Sequence, residues 1–252
     1  MIVARYFNLF ILFSIIGWVY ECTFCTIQAH HWQKRGFLYG PLCPIYGVGA
    51  VGAMVIFSIL PPLPDSFGAD YPIWEIFLIC AAGSAVLEFV TSWVLEKLFH
   101  AVWWDYSNVP FNIQGRICLP ASCGFGAVGV VIVKFVLPHV QTISIEEKPL
   151  LNEVVSLVFA FLLGMDLALT VESLSKLTQR MDEAEMNFNA KMENSVQAVT
   201  STLNRRDRYH LRSIRGYRPR KRNTPDTAEK LRNFFTELQK KVEKPEDKTA
   251  EK

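Results

Sequence analysis

Apolar residues along the 252-residue chain fall into windows separated by short stretches that hold most of the polar positions. Each window approaches the ~20 residues that an α-helix needs to cross the hydrocarbon core of a bilayer. Prolines at 61, 62, 64 and 138 stand at window ends, where a missing backbone N–H is tolerated. The windows are Tyr6–Thr26, Pro41–Leu60, Ile73–Leu95, Ile117–Leu137 and Val154–Leu174. The pattern predicts an all-α, polytopic membrane helix bundle over 1–174 with about five transmembrane helices.

Beyond residue 174 the apolar positions recur in steps of three and four, which is the spacing of a heptad repeat. This stripe predicts a cytoplasmic helix, a coiled coil over 175–204, that needs a partner for its apolar face. A second copy of the chain, paired through 174–203, is the simplest partner. We further predict a basic linker over 205–225, an amphipathic helix over 226–243 and a disordered tail over 244–252.

The distribution of basic residues predicts the orientation of the bundle, because cytoplasmic loops carry an excess of Lys and Arg. Lys34 and Arg35 follow the first window, Lys97 and Arg116 follow the third, and the tail carries most of the remaining bases. The loops after the second and fourth windows are mainly acidic. We therefore expect a multi-pass cell membrane protein with an outside N-terminus and a cytoplasmic C-terminus.

Two segments of similar sequence indicate an internal repeat. Residues 40–52 align with 115–129 if the second segment carries a two-residue insertion, and each follows a helix with a glutamate in its cytoplasmic half, Glu21 or Glu88. A repeat in the same orientation predicts a pseudo-twofold axis along the membrane normal, as in some transporters. The alternative is a chance match of small residues, which are common in transmembrane helices.

Charged residues inside the predicted bundle are the first candidates for a site. A carboxylate within a membrane costs ~2.5–3.5 kcal/mol on insertion scales, so it pairs with another group or lines a polar cavity. Glu21, Glu88, Arg35 and Arg116 all lie towards the predicted cytoplasmic side. One hypothesis is a polar vestibule that binds a substrate or couples a proton. The other is a structural ion-pair network that holds the repeats together.

Four further residues are candidates for substrate binding or coupling. Asp166 is the deepest charge in the fifth window, and it is either a proton or substrate site or a neutral, hydrogen-bonded aspartate that grips another helix. Trp104, Asp105 and Asn112 lie in the loop after the third window. Tryptophans beside a membrane helix most often form an interfacial aromatic belt, and a binding platform is the alternative.

Composition and motifs exclude several classes of function. A net charge of +2 averages a nearly neutral membrane half and an arginine-rich stretch over 205–222, which favours anionic lipid or acidic protein over nucleic acid. The six cysteines lie in or beside apolar windows and are expected to be reduced thiols. A thiolate metal site at Cys22-x-x-Cys25 lacks the second Cys pair of such sites, so we predict no metal and no cofactor. Motifs of hydrolases, zinc proteases and P-loop ATPases are absent from the sequence.

Several motifs carry a resemblance to a known family: Gly-Trp-Val-Tyr-Glu at 17–21, the run from Arg35 to Gly47, Trp-Trp-Asp-Tyr-Ser at 103–107, Phe-Asn at 111–112 and Gly-Arg-Ile-Cys-Leu at 115–119. Over Tyr6 to Leu174 the chain resembles the bacterial ABC-transporter permease family described as type IV, or CmpB-like. The resemblance implies a membrane subunit of a transporter whose ABC ATPase is a separate chain. It implies no substrate, and the tail from Ser175 lies outside it.

The leading hypothesis is a transport-associated membrane subunit of a bacterial plasma membrane, not an enzyme, with its polar cavity facing the cytoplasm. A membrane-embedded enzyme acting on a lipid or isoprenoid head group, with a carboxylate as base, is an alternative. A membrane anchor or sensor that recruits partners through its coiled-coil tail is another.

Overall fold

The apolar windows of the sequence form helices in the computed structural model, which describes residues 2–59, 71–136, 149–186, 199–201, 203–217 and 225–243. The prediction of an all-α membrane bundle is confirmed. The first five helices are α1 (Ile2–Ala29), α2 (Pro44–Ile59), α3 (Ile73–Phe99), α4 (Leu119–Val131) and α5 (Pro149–Met186), and a π-helical segment, Ile132–Val136, extends α4.

The surfaces of these helices are those of a membrane protein. Within the described residues, four helical stretches (Ile2–Ile27, Ile73–Phe99, Leu119–Val136 and Leu150–Met181) are long and apolar enough to cross a bilayer, and the 16-residue α2 is a shorter apolar helix. Leu157 and Phe161 on α5 are each 70% exposed. So much exposed apolar surface is unfavourable in water but is solvated by lipid. The chain is therefore a multi-pass membrane protein.

The chain divides into two compact units, and the first comprises Met1–Thr91 and Asp105–Leu167. In this unit α2 packs on α1 through Gly47, where a Cβ atom would overlap Phe10 and Ser14. Small residues permit this close approach between membrane helices. The backbone N–H of Cys43 donates to the carbonyl of Ser14 at 2.9 Å and so fixes the start of α2 against α1.

The second half of the predicted repeat has a similar helix contact. Gly126 of α4 lies against Phe77 of α3, where an added Cβ atom would come within 2.9 Å of the Phe77 ring and carbonyl. Phe10 and Phe77 stand at equivalent positions, because each precedes its glutamate, Glu21 or Glu88, by eleven residues. The contacts therefore match Gly126 with Gly47, whereas the sequence alignment matches it with Gly49.

The second unit comprises Ser92–Trp104 and Ala168–Lys252. It contains the end of α3, β1 (Ala101–Val102), the last part of α5, α6 (Arg205–Ser213), β4 (Gly216–Tyr217) and α7 (Pro225–Glu243). The strands β1 and β4 pair antiparallel, with Ala101 opposite Tyr217. The other two strands, β2 (Asn112–Ile113) and β3 (Ile117–Cys118), form a small antiparallel pair in the first unit.

The apolar stripe after residue 174 is covered by the chain itself. Leu174, Leu177 and Met181 are only 1%, 4% and 1% exposed. They share a small apolar cavity with residues of both strands and of α7, among them Tyr217 and Phe235. At these three positions the predicted pairing with a second copy is therefore not needed, because α7 and β4 cover the stripe. Residues 187–198 of the predicted coiled coil, and the predicted tail over 244–252, lie outside the described residues.

Part of the segment predicted as a basic linker is folded. Residues 205–213 form α6, which starts with a capping box between Asn204 and Asp207. Gln239 of α7 donates to the carbonyls of Leu211 and Ile214 at 2.8 and 2.7 Å. Arg206, Arg212 and Arg215 are exposed here, while several residues between them pack inward. Those inward residues include Asp207, His210, Leu211, Ser213 and Ile214.

Asp207 is the main polar anchor of α6 on α5. Its carboxylate is 2% exposed and accepts hydrogen bonds from Ser173 at 3.1 Å, from Arg180 at 2.5 Å and from the backbone N–H of Asn204 at 3.1 Å. A buried carboxylate is stabilised when several donors satisfy its oxygens in this way. Through Ser173 and Arg180, these hydrogen bonds connect the later part of α5 to the start of α6.

The buried His210 should make the second unit sensitive to acid. Burial lowers the pKa of His210 to about 4, against the opposing effect of the Asp207 charge. Because the folded state holds the imidazole neutral, the unfolded state binds more protons between pH ~6.5 and ~4, and the free energy of unfolding falls as the pH falls through that range. We expect the free energy of unfolding to be about 2 kcal/mol lower at pH 5.0 than at pH 7.5, measured by hydrogen exchange of 203–217 and 225–243 after correction for the intrinsic exchange rates. In the His210→Phe variant the additional exchange at pH 5.0 should disappear, and its persistence would contradict this assignment.

Candidate functional site

Glu21 lies near the C-terminal end of α1 and is bound by a tyrosine. The hydroxyl of Tyr46, at the start of α2, donates to Oε1 of Glu21 at 2.6 Å. The same tyrosine ring fits against Gly17, one turn before Glu21, where a Cβ atom would overlap the ring. The glycine therefore lets Tyr46 approach α1 closely enough to reach the carboxylate.

Glu88 occupies the corresponding position on α3 and is also bound by a tyrosine. It is 6% exposed, and the hydroxyl of Tyr106 donates to its Oε1 at 3.2 Å. Its second oxygen, Oε2, is buried and has no hydrogen-bond partner in the described part of the chain. Each half of the predicted repeat thus supplies one carboxylate and one tyrosine that bind each other. In the second half, one oxygen of Glu88 is left without a partner among the described residues.

The charges of both carboxylates act on the Tyr106 hydroxyl. Burial raises the pKa of the Tyr106 hydroxyl, and the negative charges of Glu88 and, more weakly, Glu21 raise it further. Burial also raises the pKa of the Cys43 thiol, to about 12, and Glu21 contributes most among its charged neighbours. Two hydrogen-bonded pairs of the first unit, Glu21 with Tyr46 and Glu88 with Tyr106, are together called the carboxylate cluster.

The loop between α3 and α4 places Tyr106 in this cluster. Asp105 Oδ1 accepts hydrogen bonds from both the backbone N–H and the hydroxyl of Ser107. Asn112 donates to the carbonyl of Val109 at 2.8 Å and accepts from the N–H of Gly115 at 3.1 Å. Gly115 has a positive φ of 68°, which favours glycine. Asp105 and Asn112, predicted as binding residues, thus make hydrogen bonds that hold the turn around Tyr106.

Neither predicted arginine pairs with the two carboxylates in the described residues. The Arg116 guanidinium lies 5.7 Å from the ring centroid of Phe89, and its Nε donates to Gln114 at 3.4 Å. The Arg35 side chain donates to Gln33 at 3.1 Å, and its backbone N–H donates to the sulfur of Cys22. Both arginines are buried, at 7% and 9% exposed. They shape the two loops that flank the cluster.

Asp166 accepts hydrogen bonds from the backbone of a loop and not from the side chains of another helix in the described residues. Its Oδ1 accepts the N–H of Tyr39 at 3.0 Å and its Oδ2 accepts the N–H of Gly40 at 2.9 Å. Both oxygens are therefore engaged with the loop that leads into α2. This geometry favours the structural interpretation of Asp166 over a proton or substrate site.

Trp104 is half-buried and belongs to the second unit, so the structure does not group it with the predicted site residues of the first unit. Tyr46 and Tyr106 were not predicted as site residues, although both lie in the motifs that carry the family resemblance. A phenol is a common partner for a membrane carboxylate, but only the fold shows which tyrosine reaches which glutamate. Among the described residues no three His, Cys, Asp or Glu side chains gather as metal ligands.

Removing one acceptor from Asp166 should loosen the loop before α2. In Asp166→Asn the side-chain NH2 faces a backbone N–H, and an unsatisfied buried donor costs about 1–3 kcal/mol. We expect a lower melting temperature in detergent and faster alkylation of Cys43, which is 6% exposed in the native protein, measured by mass spectrometry. The control is Glu172→Gln, which removes an exposed pair with Lys176 on the same helix and should change neither quantity. Unchanged Cys43 alkylation in Asp166→Asn would show that these two hydrogen bonds do not hold the loop.

Comparisons with known proteins place the chain in a family. No curated protein and no solved structure matches it. A family model described as "Putative ABC-transporter type IV" matches residues 8–171, which is more than half of the 252 residues and includes the whole carboxylate cluster. The resemblance seen in the sequence motifs is confirmed, and the chain belongs to this type IV family of ABC-transporter-related membrane proteins.

Proposed function

We propose that the protein is a transport-associated membrane subunit in which the carboxylate cluster forms the polar centre of a cytoplasm-facing cavity. The observation that carries this proposal is Glu88, a 94% buried glutamate on a membrane helix with one oxygen that has no partner in the described residues. Carboxylates at such depth are costly and typically serve substrate or ion pathways. Membership of the ABC-transporter family supports the same assignment.

The energy source is a separate ATPase chain. The sequence contains no G-x-x-x-x-G-K-[ST] segment that could cradle nucleotide phosphates. A subunit of a family related to ABC transporters therefore needs a partner that hydrolyses ATP. Its second unit offers a folded surface for such a partner, with Arg206, Arg212 and Arg215 exposed.

The orientation follows from the loops beside the cluster. The loop between α1 and α2 contains Lys34 and Arg35, and the loop between α3 and α4 contains Arg116. Under the positive-inside rule both loops face the cytoplasm, which places the N-terminus outside. The carboxylate cluster, built from residues of these loops and of the adjoining helix ends, then faces the cytosol.

Substituted cysteines test the orientation. Ile2 and Gln114 are both exposed, at the outer end of α1 and in the loop between α3 and α4. We expect a membrane-impermeant maleimide to label Ile2→Cys in intact cells. The same reagent should label Gln114→Cys only in inverted membrane vesicles. The reverse pattern would overturn the proposed topology. The parent chain, with its native thiols, gives the background.

Co-purification tests the transport function. We expect the tagged full-length protein, solubilised from its native membrane, to retain an ABC ATPase whose hydrolysis rate rises on reconstitution. Glu88→Gln should still co-purify with the ATPase, because the carboxylate cluster takes no part in binding the ATPase. The same variant should lower the stimulated rate of ATP hydrolysis at least tenfold. An absence of any ATPase after cross-linking, or full stimulation by Glu88→Gln, would refute the proposal.

A further inference from the structure

The hairpin formed by β2 and β3 exposes large apolar side chains. Phe111, Ile113 and Leu119 are 78%, 55% and 54% exposed. They lie side by side, because Ile113 pairs with Ile117 and the N–H of Leu119 donates to the carbonyl of Phe111 at 3.1 Å. Apolar side chains that lie together on a surface mark a contact with a membrane or with another protein.

The other side of the hairpin faces the protein and holds the loop around Tyr106. Asn112 lies opposite Cys118, which is buried. Asn112 accepts a hydrogen bond from the N–H of Gly115, and the carbonyl of Gly115 accepts one from the N–H of Tyr106 at 2.8 Å. The hairpin thus has an inner side that fixes Tyr106 and an outer side that is apolar.

The length of the fourth span places the outer side of the hairpin at the edge of the bilayer. The spanning stretch Leu119–Val136 has 18 residues, which is about 27 Å at 1.5 Å per residue. The apolar window of the sequence ends just beyond it, before Pro138. Because the hydrocarbon core is ~30 Å thick, Leu119 must lie at its boundary. Phe111, bonded to Leu119, lies at the same depth.

The exposed residues of the hairpin are continuous with the lipid-facing surface of α4. Leu119, Cys123, Ala127 and Val131 are all exposed and follow one another at intervals of four, so they lie on one face of the helix. In a membrane helix such a face contacts lipid. The hairpin adjoins the first residue of this face, which favours lipid over a protein partner as the neighbour of Phe111 and Ile113.

The backbone of Phe111 supports a role for its side chain. Its φ of 56° lies in the left-handed region, which is strained for a bulky residue and favours glycine or asparagine. Strained residues persist where the surroundings hold them and often serve a contact. Since the ring is mostly exposed, packing within the described residues does not offset this strain, whereas burial of the ring in lipid does.

We propose that the β2–β3 hairpin is a membrane anchor, in which Phe111 and Ile113 insert between phospholipids at the boundary of head groups and hydrocarbon. The anchor holds the loop that carries Tyr106 against the bilayer. This inference goes beyond the transport function and is independent of it. It holds for whichever side of the membrane the loop faces.

Photo-crosslinking in the native membrane tests the anchor. The probe is p-benzoyl-L-phenylalanine, which bonds covalently to nearby C–H groups on irradiation, placed at Phe111 or at Ile113 of the full-length protein. We expect mass spectrometry of the purified protein to show phospholipid adducts at both positions. Ile113 provides a second position if the probe disturbs the strained backbone at Phe111.

The control position is Gln114, a polar and exposed residue of the same hairpin. We expect at least tenfold less phospholipid adduct with the probe at Gln114 than at Phe111 or Ile113. Comparable phospholipid adducts at all three positions, or adducts of Phe111 and Ile113 with a polypeptide in place of lipid, would overturn the anchor.

Hydrogen exchange of 105–118 in nanodiscs separates the anchor from a local effect on the backbone. Phe111→Asn relieves the strain, because asparagine tolerates a positive φ, but it removes the apolar ring. We expect exchange at least threefold faster than in the wild type, and wild-type exchange in Phe111→Leu, which keeps an apolar side chain. Unchanged or slower exchange in Phe111→Asn would show that lipid contact does not hold the loop.

Discussion

Hydrocarbon does not solvate a carboxylate, and this constraint governs the arrangement of the first unit. Each membrane-embedded acid must obtain its hydrogen bonds from the protein itself. Asp166 obtains two from backbone N–H groups, and Glu21 and Glu88 obtain one each from tyrosines. The two kinds of acid therefore differ: both oxygens of Asp166 are engaged, whereas Oε2 of Glu88 has no hydrogen-bond partner among the described residues.

The loops between paired helices are built to deliver those hydrogen bonds. Asn112 and Asp105 fold the loop after α3 around Gly115, and this places the Tyr106 hydroxyl at Glu88. The loop before α2 is held by Asp166 and by the bonds between Arg35 and Cys22. The residues of these motifs therefore fall into two groups. Some hold the loops in place, and the tyrosines donate hydrogen bonds to the carboxylates.

The second unit buries the apolar stripe of Leu174, Leu177 and Met181 on the later part of α5. Residues of α7 and β4 cover this stripe within the same chain. On α6, Arg206 and Arg212 are exposed, whereas Asp207, His210 and Leu211 are buried. Residues 205–217, which composition alone describes as part of a basic linker, therefore belong to a folded unit.

The sequence by itself determined the membrane class, the positions of the apolar helices and the family, because these depend on local hydropathy and on contiguous motifs. Glu21, Glu88 and Asp166 could be singled out for the same reason, since a charge in an apolar window is costly wherever the helices pack. Their partners could not be deduced. Tyr46 lies 25 residues from Glu21, and Tyr39 lies 127 residues from Asp166. Packing geometry decides which donors reach a carboxylate, and that geometry exists only once helices distant in sequence are brought together.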